Sequence, residues 1–390
     1  MSDDVLDRYG FAERHLSEAA RAVLDELAET LRRDIVPLMA EAWERALMPD
    51  AVLRTLVPMR LMDPAGVSAE EADSSMFSGF RCLTLARADV SVATIYTAQA
   101  GLFRTTIRHG GSPAQAAAWD PLIRSFEVKG VFCLTEPDHG SDIAGGLATR
   151  ARREGDEWII DGEKRWIGGA DAADVLAVFA RDEADGQVKA FLVDRHAPGV
   201  DIRIIGGKVS LRPLQNAHIT LRGVRVTEEK RLHGVNSWRD VAGLLRRMRS
   251  DVAWIATGLQ AGALDAAVRY ATHREQFGRS LGGFQLVQEK LARMLGNVTS
   301  SLALVTALSA QQDAGVWSDE NSALAKMVTA ARARETAALA REVIGGNGLL
   351  LEHDAARFFA DAEAVYSYEG THEINALIVG RSLTGASAFA

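Results

Sequence analysis

The sequence predicts a mixed α+β protein in which a β domain lies between two helical domains. Apolar residues recur at helical spacing toward both ends of the chain, whereas short β-rich runs separated by turn residues fill the middle. At 390 residues, the chain is long enough for two or three domains with a large core. We place the domains at 1–128, 129–236 and 237–390.

The N-terminal domain is predicted to be helical from residue 11 to about residue 125. Its first periodic stretch puts apolar side chains on one helix face, at Leu16, Ala20, Val23, Leu27 and Leu31. Pro37 and Pro49 mark helix starts or interruptions, because proline lacks the backbone donor that a helix interior needs.

The middle domain is predicted to be an antiparallel β-barrel or sandwich. Its β-rich runs occupy 131–134, 158–160, 175–179, 191–193 and 224–226. Asp161-Gly162 and Asp185-Gly186 are typical of hairpin turns, which join neighbouring antiparallel strands. A compact antiparallel arrangement therefore follows.

The C-terminal domain is predicted to be a helical bundle. An apolar stripe at helical spacing runs through Leu291, Met294, Leu295, Val298, Leu302 and Val305. Such a stripe is much more often the core of a bundle than a ligand site.

The composition excludes several classes of function. A net charge of −8 argues against general binding of nucleic-acid backbones. Cys82 and Cys133 lie in apolar runs, so we expect two reduced, buried thiols. The start, Met1-Ser2-Asp3-Asp4, lacks an apolar signal region, and no uncharged apolar stretch is predicted to span a bilayer. We expect a cytoplasmic enzyme with no metal site.

Two segments of the middle domain carry groups suited to a cofactor. Thr135 to Asp142 is a strand running into a loop with backbone donors and small hydroxyls, although it is equally a capped, Asp-rich turn. Gly162 to Gly169 is an amphipathic strand that contains Trp166, for which core packing is the plain alternative.

Two C-terminal segments suit a phosphate-bearing ligand. Arg274 can pair with a pyrophosphate and Phe277 can pack on a ring, although a basic helix end stopped by Gly278 is the simpler interpretation. Gly345-Gly346 allows a backbone to approach a phosphate closely. Glu342 would repel that phosphate, so we expect it to turn away or to pair with Arg341 or a neighbour.

The fifth segment, Tyr368-Glu369-Gly370-Thr371-His372-Glu373, sets a carboxylate between an aromatic ring and a Gly-Thr turn. Taken alone, such a glutamate is usually solvated. A base that removes a proton next to a thioester must instead be held in a dry pocket that raises its pKa, with donors at the carbonyl oxygen.

In this order and spacing, the five segments resemble those of the FAD-dependent acyl-CoA dehydrogenases, over nearly the whole chain after residue 80. The tail from Tyr368 to Arg381 is particularly similar to the branch of glutaryl-CoA dehydrogenases and short-chain acyl-CoA oxidases. The resemblance implies a helical domain, a β domain and a C-terminal four-helix bundle. It also implies a homotetramer built as a dimer of dimers.

The resemblance assigns roles residue by residue. Glu369 would be the catalytic base that abstracts the proton. The cofactor-binding residues would be Thr135, Ser141, Trp166, Arg274, Phe277, Gln285, Gly345, Gly346, Thr371 and Glu373, of which Arg274, Phe277 and Gln285 would grip the FAD of a neighbouring subunit. The substrate-binding residues would be Ser141, Arg249 and Gly370. Arg249 belongs to a basic cluster with Arg246 and Arg247, so a surface role is its alternative.

Two departures from the family pattern bear on function. Gly168 stands where relatives carry a threonine or serine that hydrogen-bonds flavin N5, and glycine there resembles the plant short-chain acyl-CoA oxidases. Glutaryl-CoA enzymes hold the distal carboxylate with an arginine, whose position falls on Ala93, and the partner glutamate's position falls on Ala86. Since burying an unpaired carboxylate costs several kcal/mol, we expect an uncharged short or medium acyl chain.

The implied function is α,β-dehydrogenation of an acyl-CoA to the trans-2-enoyl-CoA, with electrons passed to electron-transferring flavoprotein. One alternative is an acyl-CoA oxidase that hands electrons to O₂, and another is a dehydrogenase for acyl groups on a carrier protein. A non-catalytic flavoprotein scaffold is a third, against which Glu369 weighs because a scaffold needs no base there.

Overall fold

The computed structural model describes residues 6–388, so the expectation for Met1 to Asp4 lies outside the described residues. The chain forms two compact units. The helical unit contains the residues up to Thr94, Val209–Pro213 and the residues from Arg249 onward. The β unit contains Ile95–Lys208 and Leu214–Met248. In sequence order the elements run from helices through a sheet to helices, which confirms the predicted fold class.

The first third of the chain is helical, as predicted. Serine side chains cap several of these helices, and Pro37 lies in the first turn of one while Pro49 immediately precedes another, both positions that tolerate a missing N–H. The helices are α1 (Phe11–His15), α2 (Glu18–Thr30), α3 (Val36–Arg45), α4 (Asp50–Leu56), α5 (Ala69–Ala72), α6 (Ser75–Ala88), α7 (Val90–Thr97), α8 (Arg104–Gly110) and α9 (Pro113–Arg124).

The β unit is built on one seven-stranded sheet with the order β1-β4-β2-β3-β7-β6, in which β5 also pairs with β4. Its buried side chains, such as Trp158, Phe191 and Ile219, form one apolar cluster. The elements are β1 (Gly130–Cys133), α10 (Ile143–Gly146), β2 (Arg150–Glu154), β3 (Glu157–Gly168), β4 (Val175–Asp182), β5 (Val188–Asp194), β6 (Val200–Ile204) and β7 (Asn216–Thr227).

The sheet differs from the sequence prediction in two respects. β4 pairs in parallel with both β1 and β2, whereas the predicted sheet was antiparallel throughout. Asp161-Gly162 is not a hairpin turn but a β-bulge inside β3, where a Cβ on Gly162 would lie 2.6 Å from Thr149 Cα. The predicted turn at Asp185-Gly186 is confirmed, since it joins the antiparallel strands β4 and β5.

The C-terminal part contains the predicted long helices. Met294, Val298, Leu302 and Val305 of the apolar stripe are buried. The elements are α11 (Trp238–His273), β8 (Glu275–Gln276), β9 (Arg279–Ser280), α12 (Gln285–Asp313), α13 (Asp319–Ile344), α14 (Ala355–Ser367) and α15 (His372–Thr384).

Among the described residues, α12 is long and apolar enough to cross a membrane by length and composition alone, contrary to the sequence prediction. In the structure, its polar side chains bond to neighbouring helices. Ser309 accepts from Trp254 Nε1 at 3.0 Å, and Asn297 donates to Thr336 Oγ1 at 3.1 Å. These contacts are those of a core helix in a bundle.

Candidate active site

Glu369 lies on a tight turn between α14 and α15. Its φ is +52° and that of Gly370 is +91°, so the carboxylate is presented from a left-handed backbone that non-glycine residues rarely adopt. Thr371 ends the turn by capping α15, where its hydroxyl accepts from Ile374 N at 3.2 Å. Strain of this kind persists only where surrounding contacts impose it, and it clusters at functional sites.

Three side-chain contacts hold the turn. The buried Lys326 of α13 donates to the carbonyl oxygens of Tyr366 and Gly370, each at 2.8 Å. Asn375 Nδ2 donates to the carbonyls of Gly370 and Thr371, each at 2.9 Å. The rings of Tyr366 and His372, on either side of the turn, stack with centroids 4.6 Å apart.

Polar atoms without partners cluster along this segment. Within the described part of the chain, Glu369 Oε2, His372 Nδ1 and Asn375 Oδ1 are buried and make no hydrogen bond. Native proteins satisfy most buried polar groups, so three orphans within seven residues indicate a place where a bound molecule supplies the partners.

Burial, the largest cause, and the charge of the neighbouring Asp251 together raise the pKa of Glu369 to about 8, against the opposing charges of Lys326 and Arg249. Burial likewise raises the pKa of Asp251 to about 6. The pKa of Lys326 falls to about 8 because burial outweighs the stabilising charges of Glu369 and Glu373. A carboxyl poised near neutrality is what general-base chemistry requires.

Lys326 and Asp251 were not predicted from the sequence. A lysine and an aspartate inside apolar helical runs, at Ala325-Lys326-Met327 and Asp251-Val252-Ala253, were the available signal. Charged residues are seldom buried without a partner or a function.

Arg249 is brought close to the turn that carries Glu369. Its charge acts on Glu369, its Nη1 lies 3.3 Å from Asp319 Oδ1, and its side chain is only 13% exposed. The alternative of a surface basic cluster is therefore wrong for this arginine.

Residues 86 and 93, the two positions that the family resemblance links to glutarate recognition, are buried and apolar. Ala86 and Ala93 are completely buried. α6 and α11 pack so closely there that a Cβ on Gly258 would lie 2.4 Å from Leu83 O and 2.8 Å from Ala86 Cβ. Ala86 therefore lies directly against Gly258 in the core between these two helices.

Of the predicted site residues, Arg274 lines a cavity of about 370 Å³ at the end of α11. Its wall contains Arg269, His273 and Arg274, and Asn347 on the wall donates to Tyr270 Oη at 2.9 Å. Gly345, close in sequence, has a φ of +70° and open space above it. The wall also contains the carboxylate of Glu352, and Arg269 pairs with Asp354, so Arg274 near an uncrowded glycine backbone is the group that suits a phosphate.

α11 ends at His273, so Arg274 does lie at a helix end, but a β-hairpin follows it in place of a loop after Gly278. β8 pairs with β9, and Phe277 at the hairpin tip has a φ of +54° and is 93% exposed. Gln285 is exposed at the start of α12. Glu342 forms an ion pair with Lys290, which confirms that it pairs with a neighbour.

The β unit brings Thr135 and Trp166 together, because Arg165 N donates to Thr135 O at 2.8 Å. Trp166 is 52% exposed, so the core-packing alternative is wrong for it. Ser141 is exposed in the loop that follows. Behind this loop, Lys164 and Glu136 form a buried ion pair at 2.8 Å.

Gly168 has no backbone need to be glycine, since its φ lies outside the left-handed region. A Cβ there would lie 3.3 Å from Leu214 Cδ2 and 3.5 Å from Asn216 Nδ2. A side chain would therefore require only small adjustments of its neighbours. Among the described residues, no cluster of three candidate metal ligands occurs.

Family models match nearly the whole chain in three consecutive parts. The acyl-CoA dehydrogenase N-terminal domain matches residues 17–127, the middle domain matches 131–224 and the C-terminal domain matches 238–384. A similar curated protein is the mitochondrial short-chain specific acyl-CoA dehydrogenase of Mus musculus, 29% identical over 94% of this chain and 90% of the relative.

Solved structures give the same result. The glutaryl-CoA dehydrogenase of Mycobacterium smegmatis is 34% identical, with a TM-score of 0.90 over 99% of both chains. A second glutaryl-CoA dehydrogenase structure from that organism, in complex with FADH2, is 29% identical, with a TM-score of 0.90 over 97% of both chains.

Proposed function

Because the chain belongs to the acyl-CoA dehydrogenase family, whose members are oxidoreductases, we propose that it oxidises an acyl-CoA thioester to the trans-2-enoyl-CoA with FAD as cofactor. The carboxyl group of Glu369, on a strained turn with a buried, unpartnered oxygen and a pKa near 8, carries the proposal. A base of this kind matches removal of a weakly acidic proton next to a thioester carbonyl.

The residues present fit the cofactor. In the β unit, Thr135 and the exposed Trp166 would contact the flavin ring, and Ser141 would lie along the ligand. In the helical unit, Thr371 and Glu373 would approach the flavin from the turn that carries the orphan polar atoms. When bound, FAD supplies the acceptor for the hydride that leaves the substrate's β-carbon.

The FAD of a neighbouring subunit would contact Arg274, Phe277 and Gln285, and the backbone at Gly345 and Gly346 would also contact FAD. The place of Arg274 in the cavity wall supports a phosphate contact, and the outward-facing ring of Phe277 supports a contact with a neighbouring subunit. We therefore propose a homotetramer built as a dimer of dimers.

Glu369 would take the α-proton, and the turn would help to bear the negative charge that develops on the thioester oxygen. A backbone N–H in a fixed turn is a suitable donor, because it needs no reorganisation as the charge forms. Gly370 and Arg249 would contact the substrate, and the desolvation that raises the pKa of Glu369 also strengthens these interactions.

We propose an uncharged short or medium acyl chain as substrate. The buried Ala86 and Ala93 offer no cation to a distal carboxylate, and burying that charge unpaired would cost several kcal/mol. Electrons would pass to electron-transferring flavoprotein, and we place the enzyme in the cytoplasm.

An acyl-CoA oxidase is the second candidate, and Gly168 is the observation that favours it. Its φ does not require glycine, and a Cβ there would need only small shifts of Leu214 and Asn216, yet this chain carries no side chain at the position. Without a hydroxyl there, O₂ would have easier access to the reduced flavin. Anaerobic reduction followed by air separates the two: peroxide release within seconds identifies an oxidase, and slow reoxidation identifies a dehydrogenase.

The test is an anaerobic titration of purified flavoprotein with butyryl-, octanoyl- and glutaryl-CoA, followed through flavin absorbance. We expect bleaching by an uncharged acyl-CoA and at least ~10³-fold slower bleaching of Glu369→Gln, because the positioned base is lost. Glu363→Gln is the matched control, since Glu363 forms only a surface ion pair with Arg334. Bleaching of Glu369→Gln at wild-type speed, or a flavin that no acyl-CoA reduces, would refute the proposal.

A further inference from the structure

Lys326 is a fully buried lysine whose interactions converge on the turn that carries Glu369. Its Nζ donates to the carbonyl of Tyr366 and to that of Gly370, each at 2.8 Å. The first carbonyl precedes Glu369 and the second follows it, so one ammonium group joins both ends of the turn.

A buried ammonium is costly, and a neutral side chain of similar length would fill the same space. Methionine, for example, is unbranched and adaptable. The conformation at stake is itself unfavourable, because Glu369, a non-glycine residue, has a positive φ. Two charge-assisted hydrogen bonds to the carbonyls are strong enough to hold it.

The charge of Lys326 also acts on Glu369. The charges that act on this carboxyl are those of Arg249 and Asp251 from α11 and Lys326 from α13. Around them, Tyr368 lies beside Glu369 in the turn, Glu373 of α15 acts on Lys326, and Arg81 of α6 acts on Asp251. Of these, Lys326 and Arg249 favour the carboxylate, whereas burial and Asp251 oppose it.

We propose that Lys326 is the positioning residue of the catalytic base: it clamps the turn on both sides of Glu369 and supplies the positive charge beside which the carboxylate forms. This inference rests on the proposed function. Asp251 is the opposing group, so the two residues set the protonation of Glu369 from opposite directions.

Lys326→Met tests both parts of the role. We expect the anaerobic rate of flavin reduction by the best acyl-CoA to fall at least ~10-fold. The pH midpoint of that rate should rise by about one unit, because a neighbouring positive charge that lowers the pKa of Glu369 is lost. Asp251→Asn should move the midpoint in the opposite direction. Without substrate, amide hydrogen exchange in residues 367–371 should be at least ~10-fold faster in Lys326→Met, because the clamp is lost.

Lys189→Met is the matched control, because Lys189 is a buried lysine of the β unit that pairs with Asp185 at 2.9 Å. Its pH midpoint should equal that of the wild type. If Lys326→Met does not fold, Lys326→Gln replaces it, since glutamine keeps N–H donors but not the charge and should still raise the midpoint.

The positioning role of Lys326 would be refuted by a folded, flavin-loaded Lys326 variant whose pH midpoint and amide exchange rates equal those of the wild type. In that case the wild-type enzyme would still reduce its flavin, and the proposed function would stand. If no acyl-CoA reduced the wild-type flavin, the proposed function itself would fail, and the two failures are therefore distinguishable.

Discussion

Glu369→Gln should abolish catalysis but stabilise the folded protein. The gain in the free energy of unfolding should depend on pH. The pKa of Glu369 rises from 4.5 to about 8 on folding, chiefly because of burial. Between these two pH values the folded protein holds a proton that the unfolded chain releases. Stability therefore falls as the pH rises through this window, by about 1.4 kcal/mol per pH unit. Glutamine carries no titrating proton and removes this slope.

The magnitude follows from the two pKa values. At pH 4.5 the variant and the wild type should be about equally stable. At pH 7 the variant should be more stable by about 3 kcal/mol, and above pH 8 the difference should level off at about 5 kcal/mol. Such a gain is expected when an active-site group lowers the stability of the folded protein, because replacing that group removes the cost.

The assay is thermal unfolding of the flavin-loaded protein followed by circular dichroism from pH 5 to pH 9. The Tm of Glu369→Gln should exceed that of the wild type by several degrees at pH 8 and by almost nothing at pH 5. Glu363→Gln, the surface control, should follow the wild type throughout. A Tm difference that does not grow with pH would refute the assignment of a raised pKa to Glu369. A rate of flavin reduction with its pH midpoint near 4.5 would do the same.

Three further perturbations test other parts of the molecule. Gly168→Thr should slow reoxidation of the reduced flavin by O₂ about 10-fold or more in a stopped-flow experiment, because its side chain fits with small shifts of Leu214 and Asn216; unchanged reoxidation would exclude Gly168 as an oxygen gate. Arg274→Ala should weaken FAD retention during gel filtration by about 10-fold or more, since a charge-assisted contact to phosphate is worth ~1.5–3 kcal/mol. Retention equal to that of the wild type would show that Arg274 does not contact the cofactor. Lys164→Met should cost about 3–5 kcal/mol in urea unfolding, because Glu136 would stay buried without its cation, and a loss below about 1 kcal/mol would contradict that reason.

Local sequence patterns were sufficient for much of the fold because their causes are local. Helical periodicity, serine caps and Pro37 act within a few residues, so the helices were predictable. Asp185-Gly186 forms a hairpin because its two strands are sequence neighbours. Asp161-Gly162 has the same sequence pattern but forms a bulge, because pairing with β7 and close packing against Thr149 set the conformation of Gly162.

The residues of the candidate site were likewise only partly predictable from the sequence. The short segments around Thr135, Trp166, Arg274 and Glu369 were recognisable from sequence, although neither the exposure of Trp166 nor the hairpin after Arg274 was predictable. Arg249 was assigned only by resemblance, and its proximity to Glu369 emerged from the packing of α11.

By itself, the sequence determined which residues could do chemistry, since the identity of a side chain and its neighbours along the chain fixes what it can donate, accept or bind. The tertiary structure alone decided the protonation of Glu369. That property depends on water being excluded and on Asp251, Arg249 and Lys326 being brought beside it from distant helices, and electrostatic energy depends on separation in space rather than along the chain.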